Sequence, residues 1–151
     1  MRFIKLTTDG MVSTVKLEDV NCGDLARSIG ARLVQYVDIQ DEAETVGDFM
    51  MICDEEGLFN AYNKCNPAAS VLYGVYEHGQ PIVGDVLFAK RNPSRHSDAD
   101  YFLDIGEAEA GEIERSMQEM LDLMDKAGAS AQLHRRFDSS EAPMPEIIFF
   151  N

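Results

Sequence analysis

The feature that most constrains this fold is a helical repeat of apolar residues in the last third of the chain. Between Glu109 and Lys126, apolar side chains recur every three or four residues, at Ile113, Met117, Met120, Leu121 and Met124. Mostly acidic residues fill the opposite side, and Gly128 follows at a position where helices commonly end. The spacing predicts one long amphipathic helix. Its methionine-rich stripe is expected to pack in a core rather than to form a docking surface.

The first 90 residues favour strands instead. Asp9-Gly10 separates two β-rich runs, 2–8 and 11–17, and this dipeptide readily adopts the positive φ angles of a tight hairpin turn. Asn21 and the pair Asn66-Pro67 are typical helix starts, and they predict two short helices. Three further runs of apolar, β-branched or aromatic residues predict strands, at 33–39, 49–53 and 81–90.

These elements predict one α+β domain over residues 1–151, because 151 residues with 45% hydrophobic content suffice for one core. Residues 2–90 supply a mostly antiparallel sheet with short helices, 91–100 form a polar joint, and 97–151 extend the core by a helix and a strand. The stretch 129–142 is polar. After it, four consecutive large apolar residues need cover and predict a final strand, at Ile147, Ile148, Phe149 and Phe150. We favour its own sheet as the partner, and a neighbour in a homodimer is the alternative.

Charge restricts the class of partner. The chain has 27 Asp and Glu against 13 Lys and Arg, which gives a net charge of −14. Two segments hold most of the acid: residues 38–56 carry eight acidic and no basic groups, and residues 97–125 carry ten acidic groups and one basic group. Because nucleic-acid binding depends on neutralising phosphates with cations, direct contact with DNA or RNA is disfavoured.

The cysteines and the hydropathy favour a cytoplasmic protein. Cys22, Cys53 and Cys65 are odd in number and form no CxxC pair, and the N-terminus does not resemble a secretion signal. No run approaches the roughly 18 apolar residues of a membrane-spanning helix. We therefore predict a reducing compartment and no membrane partner.

One part of the chain is similar to a known family. The string Met51-Ile52-Cys53-Asp54-Glu55-Glu56-Gly57, followed by Asn63 and by Pro-Ile-Val-Gly-Asp-Val-Leu-Phe at 81–88, resembles an uncharacterised small-protein family carried by phages and conjugative elements of gut and Gram-positive bacteria. The likeness covers roughly residues 2–90. The chain departs from it at 60–62, Asn-Ala-Tyr, where the family tends to place a leucine-proline pair before the asparagine. The resemblance implies a small α+β domain in a mobile-element setting, and it implies no reaction.

Patterns that carry catalysis are weak. Ser94, His96 and Asp98 lie too close together along one polar stretch to form a hydrolase triad. Cys65 and His78 could form a thiol and base pair, although an ordinary loop cysteine and a surface histidine is the favoured interpretation. We predict no catalytic residue.

Patterns that hold a metal or a cofactor are equally weak. Cysteine and histidine residues are too scattered for a zinc site, at Cys22, Cys53, Cys65, His78, His96 and His134. Asp38, Asp41, Glu42 and Glu44 gather carboxylates without the spacing of an EF-hand, so weak calcium or magnesium binding stays open. No glycine-rich loop precedes a lysine, and Gly106 to Gly111 is rich in glutamate. We predict no cofactor and no metal.

The acidic segments lead to the main functional hypothesis, a non-enzymatic protein that binds a basic protein partner. Carboxylates one helical turn apart could imitate a nucleic-acid backbone and intercept a nucleic-acid-binding host protein. The candidate residues are Asp41, Glu42, Glu44, Asp48, Glu112, Glu119 and Asp122. Two alternatives stay open: an oligomerising module that uses Met117, Met120, Met124 and the 147–150 strand, and a cysteine-dependent enzyme centred on Cys65.

Overall fold

The chain folds around one antiparallel sheet in the computed structural model, which describes residues 1–18, 20–39, 48–59, 64–94 and 101–138. Its strands are β1 (Arg2–Leu6), β2 (Val12–Lys16), β3 (Val34–Asp38), β4 (Phe49–Asp54), β5 (Val86–Arg91) and β6 (Phe102–Leu103). The order across the sheet is β2-β1-β5-β4-β3, and β6 pairs with the end of β5. The helices are α1 (Cys22–Ser28), α2 (Pro67–Tyr73), α3 (Val75–His78), α4 (Glu107–Lys126) and α5 (Ala129–Phe137), with a 3-10 turn at Gly57–Phe59.

Alternation along the strands gives the sheet two apolar faces. The first face carries residues such as Ile4, Met51 and Phe88, which pack against α2, α4 and α5. The second face carries Phe3 and Leu87, which pack against α1 and the short β6. Val75 of α3 also packs in the first cluster, so four helices lie on the first face and one short helix lies on the second.

The predicted α+β class is confirmed, and so are its first elements. β1 and β2 form the expected hairpin, and Gly10 adopts a φ of 83° in its turn. Asn21 caps α1 by accepting a hydrogen bond from the Asp24 amide at 2.9 Å. Asn66 caps α2 in the same way, and Pro67 is its first residue. The local signals at these helix starts were therefore sufficient to place both helices.

The predicted strand at 81–90 is wrong in its first half, because β5 begins only at Val86. The Ser70 hydroxyl donates to the Ile82 carbonyl at 3.2 Å and accepts from the Ile82 amide at 2.8 Å. Gly84 then turns the chain with a φ of 93°. Side-chain hydrogen bonds from α2 thus take the place of a strand ladder before β5.

Two elements of the C-terminal third were not predicted. The polar stretch after Gly128 contains α5, whose Leu133 is buried and whose Phe137 is half-buried against the core. The joint after β5 leads into the two-residue strand β6. The long predicted helix is confirmed as α4, although it begins at Glu107 rather than Glu109. The predicted final strand, Ile147 to Phe150, lies outside the described residues.

Candidate functional site

The outer side of α4 carries the three helical candidates, Glu112, Glu119 and Asp122, and all three are exposed. The inner side of the helix is buried against the sheet through Ala110, Ile113, Met117, Leu121 and Met124. Packing of this kind fixes the rotation of the helix, so the outward direction of the carboxylates follows from the apolar spacing. The methionine stripe is core, as predicted. Met120 is half-buried against the same core cluster.

Cations are interleaved with these carboxylates, so the surface is mixed rather than uniformly negative. Arg115 lies three residues after Glu112 and four before Glu119, and Lys126 lies four after Asp122, which makes them neighbours on the helix. Both cations are exposed. Glu112, Glu119 and Asp122 make no ion pair with another described residue. Asp122 accepts a hydrogen bond from the side-chain amide of Gln118 at 3.1 Å. We call Glu112, Glu119 and Asp122 the acidic helix face.

The second acidic segment approaches α4 at the end of β5, where two adjacent cations meet it. Lys90 pairs with Glu109 of α4 at 3.1 Å, and Arg91 pairs with Asp38 of β3 at 2.5 Å. Asp48, the residue before β4, is exposed. The remaining candidates of this segment, Asp41, Glu42 and Glu44, lie outside the described residues. The two segments therefore meet at a neutralised junction in the part of the chain that the structure describes.

The thiol of Cys65 is poorly suited to nucleophilic catalysis. It is 0% exposed and lies 3.5 Å from the Ser70 hydroxyl, and burial raises its pKa to about 11. Burial raises the pKa of Cys53 to about 12. A thiol with such a pKa holds little thiolate at neutral pH, and the thiolate is the nucleophile. Cys65 therefore gives the hypothesis of a cysteine-dependent enzyme no support.

The histidine proposed as the base for Cys65 is engaged elsewhere. The Nε2 atom of His78 lies 2.9 Å from the Tyr73 carbonyl, and its Nδ1 accepts a hydrogen bond from the Gln80 amide at 3.0 Å. Within the described residues, no group of three or more His, Cys, Asp or Glu side chains could hold a metal ion. Ser94 is exposed, whereas His96 and Asp98 lie outside the described residues.

A histidine and carboxylate pair that the sequence reasoning missed lies at the end of α5. His134 Nδ1 lies 3.0 Å from Asp138 Oδ1, and the same oxygen accepts a hydrogen bond from the Cys65 amide at 2.9 Å. His134 also lines a cleft of about 350 Å³ beside the hairpin turn, together with Asp125. The spacing i, i+4 was the available signal. Because Asp138 bridges α5 and the chain before α2, the pair ties the two helices together.

The second face of the sheet contains a larger cavity of about 490 Å³, which we call the aromatic recess. Three rings meet there: Tyr36 lies 5.2 Å from Tyr101 and 5.4 Å from Phe102 between ring centroids. Leu25 and Cys22 of α1 form the opposite wall. Cys22 is exposed, whereas Cys53 and Cys65 are buried. The recess therefore holds the one accessible thiol among the three cysteines of the chain.

Comparisons with known proteins add no family to this geometry: no family model, no curated protein and no solved structure matches the chain. The similarity to a phage and conjugative-element family therefore stays an expectation. Among the helices of the described residues, none has both the length and the apolar composition to cross a bilayer.

Proposed function

We propose that this chain is a non-enzymatic cytoplasmic binding protein that captures a basic protein through the acidic helix face. One observation carries the proposal: Glu112, Glu119 and Asp122 are exposed on a 20-residue helix whose opposite side is anchored in the core. A partner would therefore meet carboxylates whose backbone positions are already fixed. Fixed groups lose less conformational freedom on binding than groups on a mobile loop.

The spacing of these carboxylates suits a protein that normally binds nucleic acid. Along the helix axis, Glu119 and Asp122 are about 4.5 Å apart, and Glu112 and Glu119 are about 10.5 Å apart, from the rise of about 1.5 Å per residue. A groove lined with Lys and Arg binds nucleic acid by neutralising several phosphates together, and the three carboxylates lie within about 15 Å of one another along the helix axis. The resemblance to mobile-element proteins makes a host nuclease or regulator the expected kind of partner.

The interleaved cations add specificity to this attraction. A uniformly negative surface attracts any basic protein, whereas Arg115 and Lys126 repel a partner whose cations fall opposite them. Charges of this kind act over about 10 Å at 0.1 M salt and over less at higher salt. Capture should therefore be fast at low salt, weaken as salt rises, and select among basic proteins.

The experiment is affinity capture from host lysate with two variants of equal charge. In the first, the acidic helix face is neutralised by Glu112→Gln, Glu119→Gln and Asp122→Asn. The matched control neutralises three other exposed carboxylates, by Glu18→Gln, Glu55→Gln and Glu77→Gln. The control residues likewise make no ion pair with another described residue. Both variants change the net charge by the same amount, so they separate the location of charge from its total.

We expect the native chain and the control to retain one and the same basic protein at low salt, and the acidic-face variant to lose it. The loss should be about tenfold or more, since several charge pairs at one interface are removed together. Equal loss in both variants would show attraction by net charge alone and would contradict the proposal. Capture of no basic protein at any salt concentration would contradict it as well.

A further inference from the structure

The strand β3 lies at one edge of the sheet, because it pairs with β4 alone among the described strands. Beyond the first residue of β3, the Glu55 amide donates to the Leu33 carbonyl at 3.0 Å and continues the register with β4. In an antiparallel pair, the backbone groups of successive residues point alternately toward the partner strand and away from it. The amides and carbonyls of Val34 and Asp38 are therefore directed to the outer edge of the sheet.

The charged side chains along this edge are self-complementary. Arg32 lies just before β3 and Asp38 ends it, and their side chains are 76% and 83% exposed. Arg32 donates to Glu56 from Nε and Nη2, whereas Arg91 donates to Oδ1 of Asp38. Among the described residues, Nη1 of Arg32 and Oδ2 of Asp38 have no partner. An acidic and a basic group at the two ends of one edge can thus each accept a partner from another molecule.

The opposite edge of the sheet, at β2, does not share this charge pattern. β2 carries Lys16 and no acidic residue, so a second β2 paired along its length supplies no opposite charge. α4 also packs over β2, and the Thr14 hydroxyl donates to Glu114 at 2.7 Å. Apolar exposure does not distinguish the edges, because Met11 beside β2 is 68% exposed and Leu33 beside β3 is 44% exposed. Charge complementarity therefore selects the β3 edge.

We infer that two copies of this chain pair through their β3 edges, antiparallel and about a two-fold axis at Gln35. A backbone ladder forms only in registers that oppose the outward-directed residues of both copies, such as Val34 and Asp38. The register centred on Gln35 meets this condition, and it places Arg32 opposite Asp38 of the second copy. Directly opposite residues carry their side chains on the same face of the sheet, with Cβ atoms about 4.5–5.5 Å apart. The interface thus combines backbone pairing with two equivalent charge pairs.

Each charge pair joins two intrachain ion pairs into one network. Glu56 and Arg32 of one copy are followed by Asp38 and Arg91 of the other, so the signs alternate along the network. Such a network stabilises more than an isolated exposed pair does. The net charge of −14 on each copy opposes association, and salt screens this repulsion beyond about 8 Å at 0.15 M. The dimer should therefore be stronger at physiological salt than at low salt.

The inference does not rest on the acidic helix face. α4 packs over β1 and β2, toward the edge of the sheet away from β3. Pairing through β3 therefore leaves the acidic helix face exposed in both copies. A dimer would present two such faces, and capture of a basic protein can succeed or fail whether or not the chain dimerises.

Charge reversal tests both the edge and the register. Arg32→Asp and Asp38→Arg each place like charges opposite each other, so each variant should dimerise at least about tenfold more weakly than the native chain. An equimolar mixture of the two variants restores opposite charges at both ends of the paired strands and should form a heterodimer. Lys16→Asp is the matched control, because it reverses an exposed charge at the β2 edge and changes the net charge as Arg32→Asp does.

Sedimentation equilibrium at about 0.15 M salt measures the mass up to a concentration of about 1 mM. The native chain, the control and the mixture should approach twice the 16.8 kDa of one chain, and each single variant should stay below them at the same concentration. Circular dichroism verifies that every variant is folded.

Three results would overturn the inference. The first is a native chain that stays monomeric over the whole range of concentration. The second is equal dimerisation of Arg32→Asp and the Lys16→Asp control, because the charge at the β3 edge would then play no part. The third is a mixture of folded Arg32→Asp and Asp38→Arg chains that stays monomeric, because these two positions would then not lie opposite each other.

Discussion

Under α2, α4 and α5, the first face of the sheet buries a large apolar cluster that includes Phe88, Met117 and Leu133, whereas the second face buries a smaller cluster under α1 alone. The first face borders a cavity of about 350 Å³ beside the hairpin turn, and the second contains the larger aromatic recess, of about 490 Å³. The two faces of the sheet therefore differ in how much apolar surface they bury. The first face buries the larger core and presents the acidic helix face, whereas the second contains the aromatic recess beside α1.

The largest expected difference between the two faces is the loss of stability when one buried ring on each face is truncated to alanine. Phe88 is 0% exposed, so Phe88→Ala should lower the free energy of unfolding by about 3–5 kcal/mol. Phe102 borders the recess and leaves less of a closed cavity when truncated, so Phe102→Ala should cost roughly 2 kcal/mol, the value for burial of one large apolar side chain. Urea denaturation of the native chain and of each variant measures both losses of stability. Equal losses would mean that the second face is as closely packed as the first.

The two asparagine caps provide a second comparison between the faces. Asn66 is 1% exposed, caps α2 and donates from Nδ2 to the carbonyls of Leu6 and Gly84, each at 3.1 Å. Because Asn66→Ala leaves buried acceptors unsatisfied, it should cost about 2–3 kcal/mol of stability. Asn21 caps α1 at an exposed position, so Asn21→Ala should cost about 1 kcal/mol. A larger loss at Asn21 in thermal unfolding would contradict the unequal roles of the two faces.

The smallest loss of stability is expected from a substitution at Asp104, where the chain crosses from one face of the sheet to the other. Phe102 packs on the second face and Ile105 on the first, and Arg2 binds Asp104 through both its amide and its guanidinium. The hydrogen bond from the Arg2 amide, with the nearby positive charge, lowers the pKa of Asp104 below its ordinary 3.8. Asp104→Asn should therefore cost less than about 1 kcal/mol at pH 7, as for an exposed pair.

The direction of the pKa shift at Asp104 determines how its contribution to stability depends on pH. Because the pKa of Asp104 is lowered in the folded chain, its contribution to stability is present above the ordinary pKa and is lost as pH falls through the folded pKa. The difference in unfolding free energy between the native chain and Asp104→Asn should therefore vanish under strongly acidic conditions. A difference that grew toward acid would have the wrong sign for a stabilised carboxylate.

Patterns within short stretches of sequence were sufficient to predict the N-terminal hairpin and the long helix α4. Asp9-Gly10 placed the hairpin, and the apolar spacing placed α4 and the outward direction of its carboxylates. The spacing of Ala129, Leu133 and Phe137 also matches one helix face, but the polar composition around it hid α5. The start of β5 was missed because Ser70, twelve residues before Ile82, determines the conformation there.

Of the two candidate sites, one could be predicted from a local pattern and the other could not. The acidic helix face could be predicted because one helix holds all three residues. The aromatic recess could not, because its wall comes from separate segments around Cys22, Tyr36 and Tyr101 that meet only after the sheet forms. No periodic pattern links positions so far apart in sequence. Recognition of such a cavity requires the tertiary structure.

The most direct test of the central claim is the association rate constant between this chain and the basic protein proposed as its partner, measured against salt concentration. The native chain and the control, Glu18→Gln, Glu55→Gln and Glu77→Gln, should show the same steep fall in rate as salt rises. The acidic-face variant, Glu112→Gln, Glu119→Gln and Asp122→Asn, should associate more slowly at low salt and depend less on salt. Identical salt dependence in the two variants would contradict the account, because the position of the carboxylates on α4 would then play no part in binding.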